Sequence, residues 1–533
     1  MTRRLVALVL VAALLAGLPA PVAAQGATDA EILHVLSRVT YGPRPGDVAR
    51  VRALGLSAWL ERQLDPGRID DTAVEALLKT LPTLTMSIAE LQREYPRPDP
   101  KAREAVKSGE MTRREMLDRF PAEKRPFRIG AELAAARMVR AVASERQLQE
   151  IMVDFWFNHF SVFAAKGQVP WYVTSYERDV IRPHALGRFG DLVRSTARHP
   201  AMLFYLDNWL SARPDFVVPA GPNRGRKAGL NENYARELME LHTLGVDGGY
   251  TQQDVTEVAR AFTGWTIGQP RADARFVFRP MMHDRGEKTI LGRRFAAGGG
   301  IEDGERGLDL LLRHPATARF VATKLCRRFV ADEPPPALVE RVARAYQETD
   351  GDIRAMLRAI FGAPEFRASE ARRAKIKTPL EFVAGATRAV GATIEPRGGF
   401  ALARASAEIG EPLYMAQPPT GHPDRAEAWV NAGALLGRMN FALALAQGRL
   451  PGVGVDLAPL VADAPRSDPA VVLDRLLATL LHGQATAETR AVLTAQLANA
   501  QIVRQTPDDR GPADTDVEKL AALVIGSPEF QRR

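Results

Sequence analysis

The stretch from Asn231 to Trp265, NENYARELMELHTLGVDGGYTQQDVTEVARAFTGW, decides the predicted fold. Its apolar residues recur at helical spacing on both sides of a glycine-rich turn, which predicts two helices joined by a short loop. Thr251 has the position of an N-cap for the second helix, and Gly264 marks its end. We call residues 231–265 the signature stretch, because no other part of the chain places as many acidic and amide groups on helices with recognisable caps.

The same helical spacing extends through most of the chain. Thr28 and Glu31 have the spacing of a capping box, and so do Ser144 and Gln147, which precede an apolar helix. One region favours strands: residues 275–278 and 288–291 are short runs on either side of a turn. The predicted fold is therefore mostly α, a multi-helical globular array with at most one small β-hairpin near residues 275–292.

Proline-rich stretches and shifts in composition divide the chain into five predicted segments. They are a signal peptide (1–24), an N-terminal helical segment (25–95), a charged linker and helix (96–125), a central helical core with the signature stretch and the hairpin (126–300), and a C-terminal helical region (301–533). The last region contains an internal repeat, because DIRAMLRAIFGAPEFR at 352–367 aligns without gaps with DVEKLAALVIGSPEFQ at 516–531. In each copy we expect a helix that ends at a glycine and a phenylalanine, Phe366 or Phe530, that packs into the core.

The first 24 residues have the composition of a secretory signal peptide. Arg3 and Arg4 precede an apolar run over residues 5–18, and small residues at 22–24 suit signal peptidase. The run is short for a membrane span, although a retained N-terminal anchor is the alternative. No later stretch is long and apolar enough to span a bilayer. We therefore expect an exported protein, periplasmic or extracellular, with no membrane span after signal cleavage.

Charge and cysteine content exclude some classes of protein. The formal charge is +8, and the basic and acidic residues are interleaved rather than clustered. This pattern does not indicate a nucleic-acid partner. Cys326 is the only cysteine, so an intramolecular disulfide is impossible, and its apolar neighbours predict a buried thiol.

The candidate catalytic residues are Glu237, Glu240, His283 and Asp284. At about 100° per residue, Glu237 and Glu240 lie about 60° apart and share one helix face. His283 and Asp284 lie in a predicted loop tip, where functional groups concentrate. Two interpretations stay open: the four side chains meet in one cleft, or Arg236 pairs with the glutamates of its own helix and the cluster is structural.

His242 and His159 are weaker candidates, as metal ligands. The helical spacing puts His242 on the apolar side, away from Glu237 and Glu240, so this helix alone does not form a Glu-x-x-His metal site. His159 is surrounded by aromatic residues, which favours a core histidine. The sequence identifies no cofactor. The acidic and histidine side chains are of the kind that could bind a divalent metal ion. Four polar residues, Gln147, Asp154, Asn158 and Ser161, fall near one helical stripe, which indicates an internal polar network or a functional site.

Several stretches together resemble one bacterial family. They are the signature stretch, HVLSRVTYGP (34–43), FWFNHF (155–160), PAMLFYLDN (200–208), His283-Asp284 to Lys288, KIKTPLEF (375–382) and QPP (417–419). This pattern is similar to the exported family catalogued as domain of unknown function 1800, and it covers nearly the whole mature chain. The resemblance implies export, a mostly helical fold and a working partner from a second exported family, number 1501. The family usually has Gly-Trp after the two prolines, where this chain has Gly421-His422.

The sequence supports two functional hypotheses. The first is an envelope or secreted scaffold that assembles with a protein partner, because no catalytic motif has the required spacing while helical patterning is abundant. The second is a metal-dependent hydrolase or other enzyme that uses Glu237, Glu240, His283 and Asp284. The geometry of these four side chains discriminates between the two.

Overall fold

The computed structural model describes residues 26–219, 224–498, 503–504 and 514–533. The predicted signal peptide, residues 1–24, lies outside the described residues. Within them the fold is mostly α, as predicted, and the strands form only small antiparallel pairs. No helix of this described part is both long and apolar enough to cross a membrane.

The helices and strands are numbered here in chain order. The α-helices are α1 (Asp29–Val39), α2 (Asp47–Leu54), α3 (Leu56–Leu64), α4 (Thr72–Leu78), α5 (Ile88–Glu94), α6 (Pro100–Ser108), α7 (Arg113–Asp118), α8 (Phe127–Ala143), α9 (Gln147–His159), α10 (Val169–Ser175), α11 (Arg182–His184), α12 (Phe189–Arg198), α13 (Pro200–Tyr205), α14 (Asn233–Glu237), α15 (Gln252–Ala261), α16 (Ile301–Leu312), α17 (Pro315–Phe329), α18 (Pro336–Glu348), α19 (Ile353–Phe361), α20 (Pro364–Arg367), α21 (Pro379–Ala389), α22 (Pro396–Ile409), α23 (Ala432–Ala446), α24 (Pro469–Leu480), α25 (Ala487–Gln496) and α26 (Val517–Ile525). The strands are β1 (Trp265–Gly268), β2 (Arg275–Phe278), β3 (Lys288–Ile290), β4 (Arg293–Phe295), β5 (Thr393–Ile394), β6 (Val453–Gly454), β7 (Val503–Arg504) and β8 (Asp514–Thr515).

The two predicted strands exist, but the predicted hairpin between them is wrong. β2 pairs with β1, with Trp265 opposite Phe278, and β3 pairs with β4, with Lys288 opposite Phe295. Gly264 adopts a left-handed conformation (φ +82°) that ends the preceding turn and starts β1 at once. All four residues of β1 are buried, the polar Thr266 included, so this strand has no exposed face.

The capping signals have mixed outcomes. Thr28 and Glu31 form the predicted capping box at α1. The box predicted from Ser144 and Gln147 is wrong, because Ser144 instead donates to Asp71 and accepts from the Arg146 amide. Helix α9 begins at Gln147, whose side-chain amide donates to backbone carbonyls of the preceding turn.

Two helical segments switch from α to π geometry, at Tyr176–Ile181 and at Leu238–His242. The second switch lies in the signature stretch, so the constant α-helical spacing assumed from the sequence fails beyond Glu237. The wider i→i+5 turn still buries His242, which is 2% exposed, as the core interpretation predicts. π turns of this kind are frequent at functional sites.

One apolar core extends through the protein from Val35 to Phe530. The two copies of the internal repeat insert into it in the same way: each helix, α19 or α26, is capped by an aspartate at its start, and the phenylalanine that follows is buried. Phe366 is 0% exposed and Phe530 is 5% exposed, which confirms both packing predictions. Cys326 is also buried in this core, as predicted.

Replacing Phe366 with alanine tests the repeat as a source of stability. Phe366→Ala leaves a cavity in the core, and a buried Phe→Ala change costs about 3–5 kcal/mol. We therefore expect a clear fall in Tm by calorimetry. The matched control is Phe127→Ala, because Phe127 is 61% exposed and its loss should change stability by no more than about 0.5 kcal/mol. Equal Tm values for the two variants would contradict the assignment.

Candidate functional site: a charged interior chamber

A chamber of about 290 Å³ lies where five parts of the chain meet. They are α8, α9 with the residues that follow it, α17, the start of α21, and the loop 411–425. We call it the polar chamber. Its polar lining consists of Arg137, Asp154, Asn158, Ser161, His159, Lys324, Arg327, Arg328, Thr378, Glu381, Glu411, Tyr414, Thr420, His422, Asp424 and Arg425.

Three of the four residues of the predicted polar stripe supply one wall of the polar chamber. Gln147 does not line it, because its side-chain amide donates to backbone carbonyls at the start of α9. Asp154 and Asn158 are four residues apart, so they project from the same side of the helix, and Ser161 follows just beyond its end. Helix α9 with the residue that follows it contains the stretch 155–160 of the family resemblance, and two further lining elements, the start of α21 and the loop 411–425, overlap with the stretches 375–382 and 417–419. Three of the stretches that carry the resemblance therefore lie on elements that border one cavity.

Arg137 holds the chamber wall together through ion pairs. Its guanidinium donates to Asp154, at 2.6 Å between Nη1 and Oδ1, and to Glu177. Arg182 also donates to Glu177, and the Tyr414 hydroxyl completes the set of donors around this carboxylate. Burial alone would raise the pKa of Glu177, but the two guanidiniums and the hydroxyl lower it to about 2. Glu177 lies in the first π turn, so this backbone irregularity presents a charge to the chamber wall.

A second carboxylate, Glu381, is neutralised in the same manner. It accepts from Arg328 and, at 2.9 Å, from Arg533 Nε, and it is the N3 residue of the capping box at α21. Burial acts to raise its pKa, and the two arginines reverse the effect and lower the pKa to about 2. This carboxylate is therefore ionised and fully occupied by structural partners.

Glu411 is different, because no cation pairs with it among the described residues. Its carboxyl accepts a hydrogen bond from the Leu380 amide at 2.8 Å, and this bond and one with the Thr378 side chain act to lower its pKa. Burial and the nearby charge of Asp154 raise the pKa of Glu411 to about 8. Burial also raises the pKa of Asp154, against the opposing effects of Arg137 and Arg328. The polar chamber thus holds two carboxyl groups, Glu411 and Asp154, whose pKa values are both raised.

Lys324 is a cation without a carboxylate partner among the described residues. Its ammonium lies over the Phe320 ring, 5.7 Å from the centroid. Burial lowers the pKa of Lys324 to about 8, although Asp424 acts in the opposite direction. Glu411 and Lys324 therefore each gain or lose a proton in the same range of pH, near pH 8.

The loop 411–425 is fixed against α9 by a reciprocal pair of hydrogen bonds. The His422 amide donates to Asn158 Oδ1 at 2.7 Å, and Asn158 Nδ2 donates to the His422 carbonyl at 2.8 Å. Gly421 has φ +72°, and a Cβ there would lie 2.3 Å from Asn158 Oδ1, so only glycine fits. The His422 ring packs against Trp429, so an indole borders this loop although the Gly-Trp of the family is missing.

Glu237 and Glu240 lie outside the lining of the polar chamber. Arg236 pairs with Glu240 and Glu232, at 3.4 Å in each case, which is the structural pairing that the sequence left open. Burial, followed by the charge of Glu240, raises the pKa of Glu237. The charge of Glu237 also helps to raise the pKa of Tyr205. The Tyr205 hydroxyl donates to the Gln417 carbonyl in the loop 411–425.

His283 and Asp284 are not at an exposed loop tip. His283 is 1% exposed, and its Nδ1 lies 2.8 Å from the Thr263 carbonyl. Asp284 forms an ion pair with Arg260 at 2.8 Å. No hydrogen bond or ion pair among the described residues joins these two side chains to Glu237 or Glu240. A catalytic role for the four residues stays a prediction.

His159 and His242 do come together, with ring centroids 6.0 Å apart. His159 Nε2 contacts the His242 carbonyl at 3.1 Å, and each ring has a nitrogen without a hydrogen-bond partner in the described structure. Burial is the main cause that lowers the pKa of both histidines. Across the described ranges, no group of three or more His, Cys, Asp or Glu side chains is arranged to hold a metal ion. Metal binding by this pair stays a prediction.

Comparison with known proteins assigns the family. The family model described as "Protein of unknown function (DUF1800)" matches residues 34–532, and the chain belongs to that family. No curated protein and no solved structure matches the chain. The resemblance noted from the sequence is confirmed, and three of the stretches that carry it lie on elements that border the polar chamber.

The raised pKa of Glu411 predicts a pH-dependent stability. In the folded state Glu411 holds its proton up to pH about 8, and the unfolded state loses it near the ordinary value of 4.5. The folded state therefore loses stability as the pH rises through this window, by an amount on the order of a few kcal/mol, since each pKa unit corresponds to about 1.4 kcal/mol. Glu411→Gln removes this loss.

We expect the Tm of Glu411→Gln, measured relative to wild type, to rise steadily between pH 4.5 and pH 8. Differential scanning calorimetry at several pH values measures the effect. Glu348→Gln, on the exposed face of α18, is the matched control and should give a constant difference. A constant difference for Glu411→Gln as well would show that Glu411 titrates normally.

Proposed function

We propose that this protein is an exported acid–base enzyme that acts on a small anionic substrate in the polar chamber. The observation that supports the proposal most strongly is the contrast between Glu411 and its neighbours. Glu177 and Glu381 are surrounded by arginines and have pKa values of about 2, whereas Glu411 has a pKa of about 8. Carboxyl groups whose pKa values are pushed apart within one cavity are typical of acid–base sites.

The proposal assigns proton transfer to three side chains. Glu411 is protonated near neutral pH and is the proton donor. Asp154, the second carboxyl, faces the same cavity and assists by holding the proton on Glu411. Lys324, with a pKa of about 8, is mostly a cation near neutral pH and attracts the substrate in that form, and it accepts a proton only in the minor fraction that is neutral. General catalysts are most effective when their pKa lies near the working pH.

The charge of the polar chamber favours an anionic substrate. Five cationic side chains line it, Arg137, Lys324, Arg327, Arg328 and Arg425, against four carboxyl groups. Because Glu411 keeps its proton, the cations outnumber the carboxylates further. A carboxylate, phosphate or sulfate group is therefore attracted into the chamber, and its low dielectric strengthens the attraction.

Ligand screening by thermal shift tests this proposal. We expect small carboxylates, phosphates or sulfates to raise the Tm of the purified mature protein, and neutral sugars of similar size to leave it unchanged. A ligand at 100 times its Kd adds about 2.7 kcal/mol of stability. Lys324→Gln should weaken the response, whereas the exposed control Lys79→Gln should retain it.

Turnover distinguishes an enzyme from a binding protein. Each stabilising ligand is incubated with protein and its conversion followed by mass spectrometry. Wild type should convert at least one ligand, and Glu411→Gln should bind that ligand but convert it at least tenfold more slowly. Binding without conversion in wild type would reject the enzymatic part of the proposal, and the absence of any anionic ligand would reject both parts.

Export is proposed from the signal-like composition of residues 1–24 and from the family resemblance. Expression of the full chain in a Gram-negative host, followed by fractionation and N-terminal sequencing, tests it. We expect the protein in the periplasm or medium with Gln25 at its new N-terminus. An uncleaved chain in the cytoplasm would contradict export.

A scaffold role with a protein partner is the second candidate function, and one surface feature favours it. Leu435, Leu436 and Met439 on α23 are 44%, 62% and 52% exposed and lie at helical spacing on one side. An exported protein of family 1501 is the partner class that the resemblance implies. Leu436→Glu should abolish co-purification with such a protein encoded in the same genome, and Val492→Glu, also at an exposed position, should not. Co-purification that survives Leu436→Glu would reject this surface.

A further inference from the structure

An apolar groove of about 950 Å³ lies apart from the polar chamber, and nothing in the proposed function uses it. The end of α13, the turn at Asn208–Leu210, the residues around Pro270 and the Met281–Met282 segment form its walls. We call it the aromatic groove. Its volume is that of a site for a ligand of drug-like size.

The floor of the aromatic groove is rigid. The Phe204 and Trp209 rings stack with centroids 5.2 Å apart and an angle of 16° between their planes. Asn208 fixes the turn by donating to the Phe262 and Trp265 carbonyls. Gly167 allows this packing, because a Cβ there would lie 2.3 Å from the Phe204 ring. The aromatic surface is thus preorganised.

The rim of the aromatic groove exposes apolar side chains to solvent. Leu210 and Met281 are 47% and 61% exposed, and both line the groove. Beneath them Phe216 and Met282 belong to a small apolar cluster that is separate from the main core. Exposed apolar groups concentrated around a concave surface indicate a binding site for an apolar group.

The charge at one side of the aromatic groove is unbalanced. Arg97, Arg271 and Arg279 line it, and no acidic residue is among its described lining residues. Arg97 is held over the Trp171 ring, 4.6 Å from the centroid, and it pairs with no carboxylate among the described residues. Burial, together with the charges of Arg103 and Arg271, lowers the pKa of Arg97 to about 10. These arginines repel one another, and a bound anion would relieve the repulsion.

Two lining residues also carry polar atoms that lack partners. Trp209 Nε1 and Gln168 Oε1 are buried and form no hydrogen bond in the described structure, and Gln168 is only 4% exposed. Such atoms are costly unless something pairs with them. The Trp209 Nε1–H is a donor that an anionic head group can pair with, whereas Gln168 Oε1 is an acceptor and can pair only with a hydroxyl or amide donor of a ligand.

We propose that the aromatic groove binds an amphiphile with an acyl chain and an anionic head group. The chain lies on Phe204 and Trp209, and the head group meets Arg97 and Arg271. A free fatty acid and an anionic lipid share this chemistry. The site is independent of the polar chamber, so it stands or fails separately from the proposed enzymatic function.

Calorimetric titration of the mature protein with decanoate tests the proposal. We expect saturable binding, weaker binding of octanoate by roughly fourfold for each CH₂ removed, and weaker binding of the neutral alcohol decanol. Added salt should weaken the binding of decanoate but not that of decanol. A decanoyl lysophosphatidylglycerol identifies the source: tighter binding than decanoate indicates a lipid, and weaker binding indicates a free fatty acid.

Two variants locate the site. Trp209→Ala should remove most of the affinity for decanoate. Arg271→Gln changes an exposed side chain. It should weaken the binding of decanoate by about two- to fivefold and leave the binding of decanol unchanged. Arg293→Gln, on exposed β4, is the matched control and should bind like wild type. No saturable binding, or equal affinities for decanoate and decanol with no effect of Arg271→Gln, would overturn the proposal.

Discussion

The buried ion pairs of Arg137 with Glu177 and Asp154 are the interaction on which the rest of the structure depends. They join α8, α9 and the first π turn, and the Tyr414 hydroxyl ties the chamber loop to the same carboxylate. Taking these charges out of water costs several kcal/mol for each ion, so the pairs are stable only because every charge has well-placed partners. Removal of one partner would leave an uncompensated charge in the wall of the polar chamber. The elements that surround the chamber are therefore held in one arrangement by electrostatics as well as by the apolar core.

Glu411 and Lys324 differ from the buried charges of the Arg137 cluster, because neither has an oppositely charged partner among the described residues. The fold supplies arginines to Glu177 and Glu381 but leaves Glu411 with uncharged hydrogen-bond partners, the Leu380 amide and the Thr378 side chain. It leaves the Lys324 ammonium over an aromatic ring. Uncompensated titratable groups reduce stability, and where a fold retains them they are often functional. The signature stretch has a supporting role, because the His242 carbonyl contacts the His159 ring in the chamber wall.

Much of the fold could be predicted from the sequence, since helical periodicity and caps are local signals. Three features follow from spacing within a few residues. They are the capping box of Thr28 and Glu31, the ion pairs of Arg236 within its own helix, and the burial of Phe366 and Phe530 after a helix end. The π turn at 238–242 and the pairing of β1 with β2 could not be predicted, because tertiary packing decides them. The stripe that contains Asp154 and Asn158 could be predicted, but the role of Glu411 could not, since the Leu380 amide that it accepts from lies 31 residues away on another element.

The protonation state of Glu411 tests the central claim most directly. Infrared difference spectroscopy of wild type against Glu411→Gln, recorded as a function of pH, isolates the stretching band of one protonated carboxyl group. The account predicts that this band is present at pH 7 and disappears with a midpoint near pH 8. A band that is absent at pH 7, with a midpoint near the ordinary value of 4.5, would contradict it.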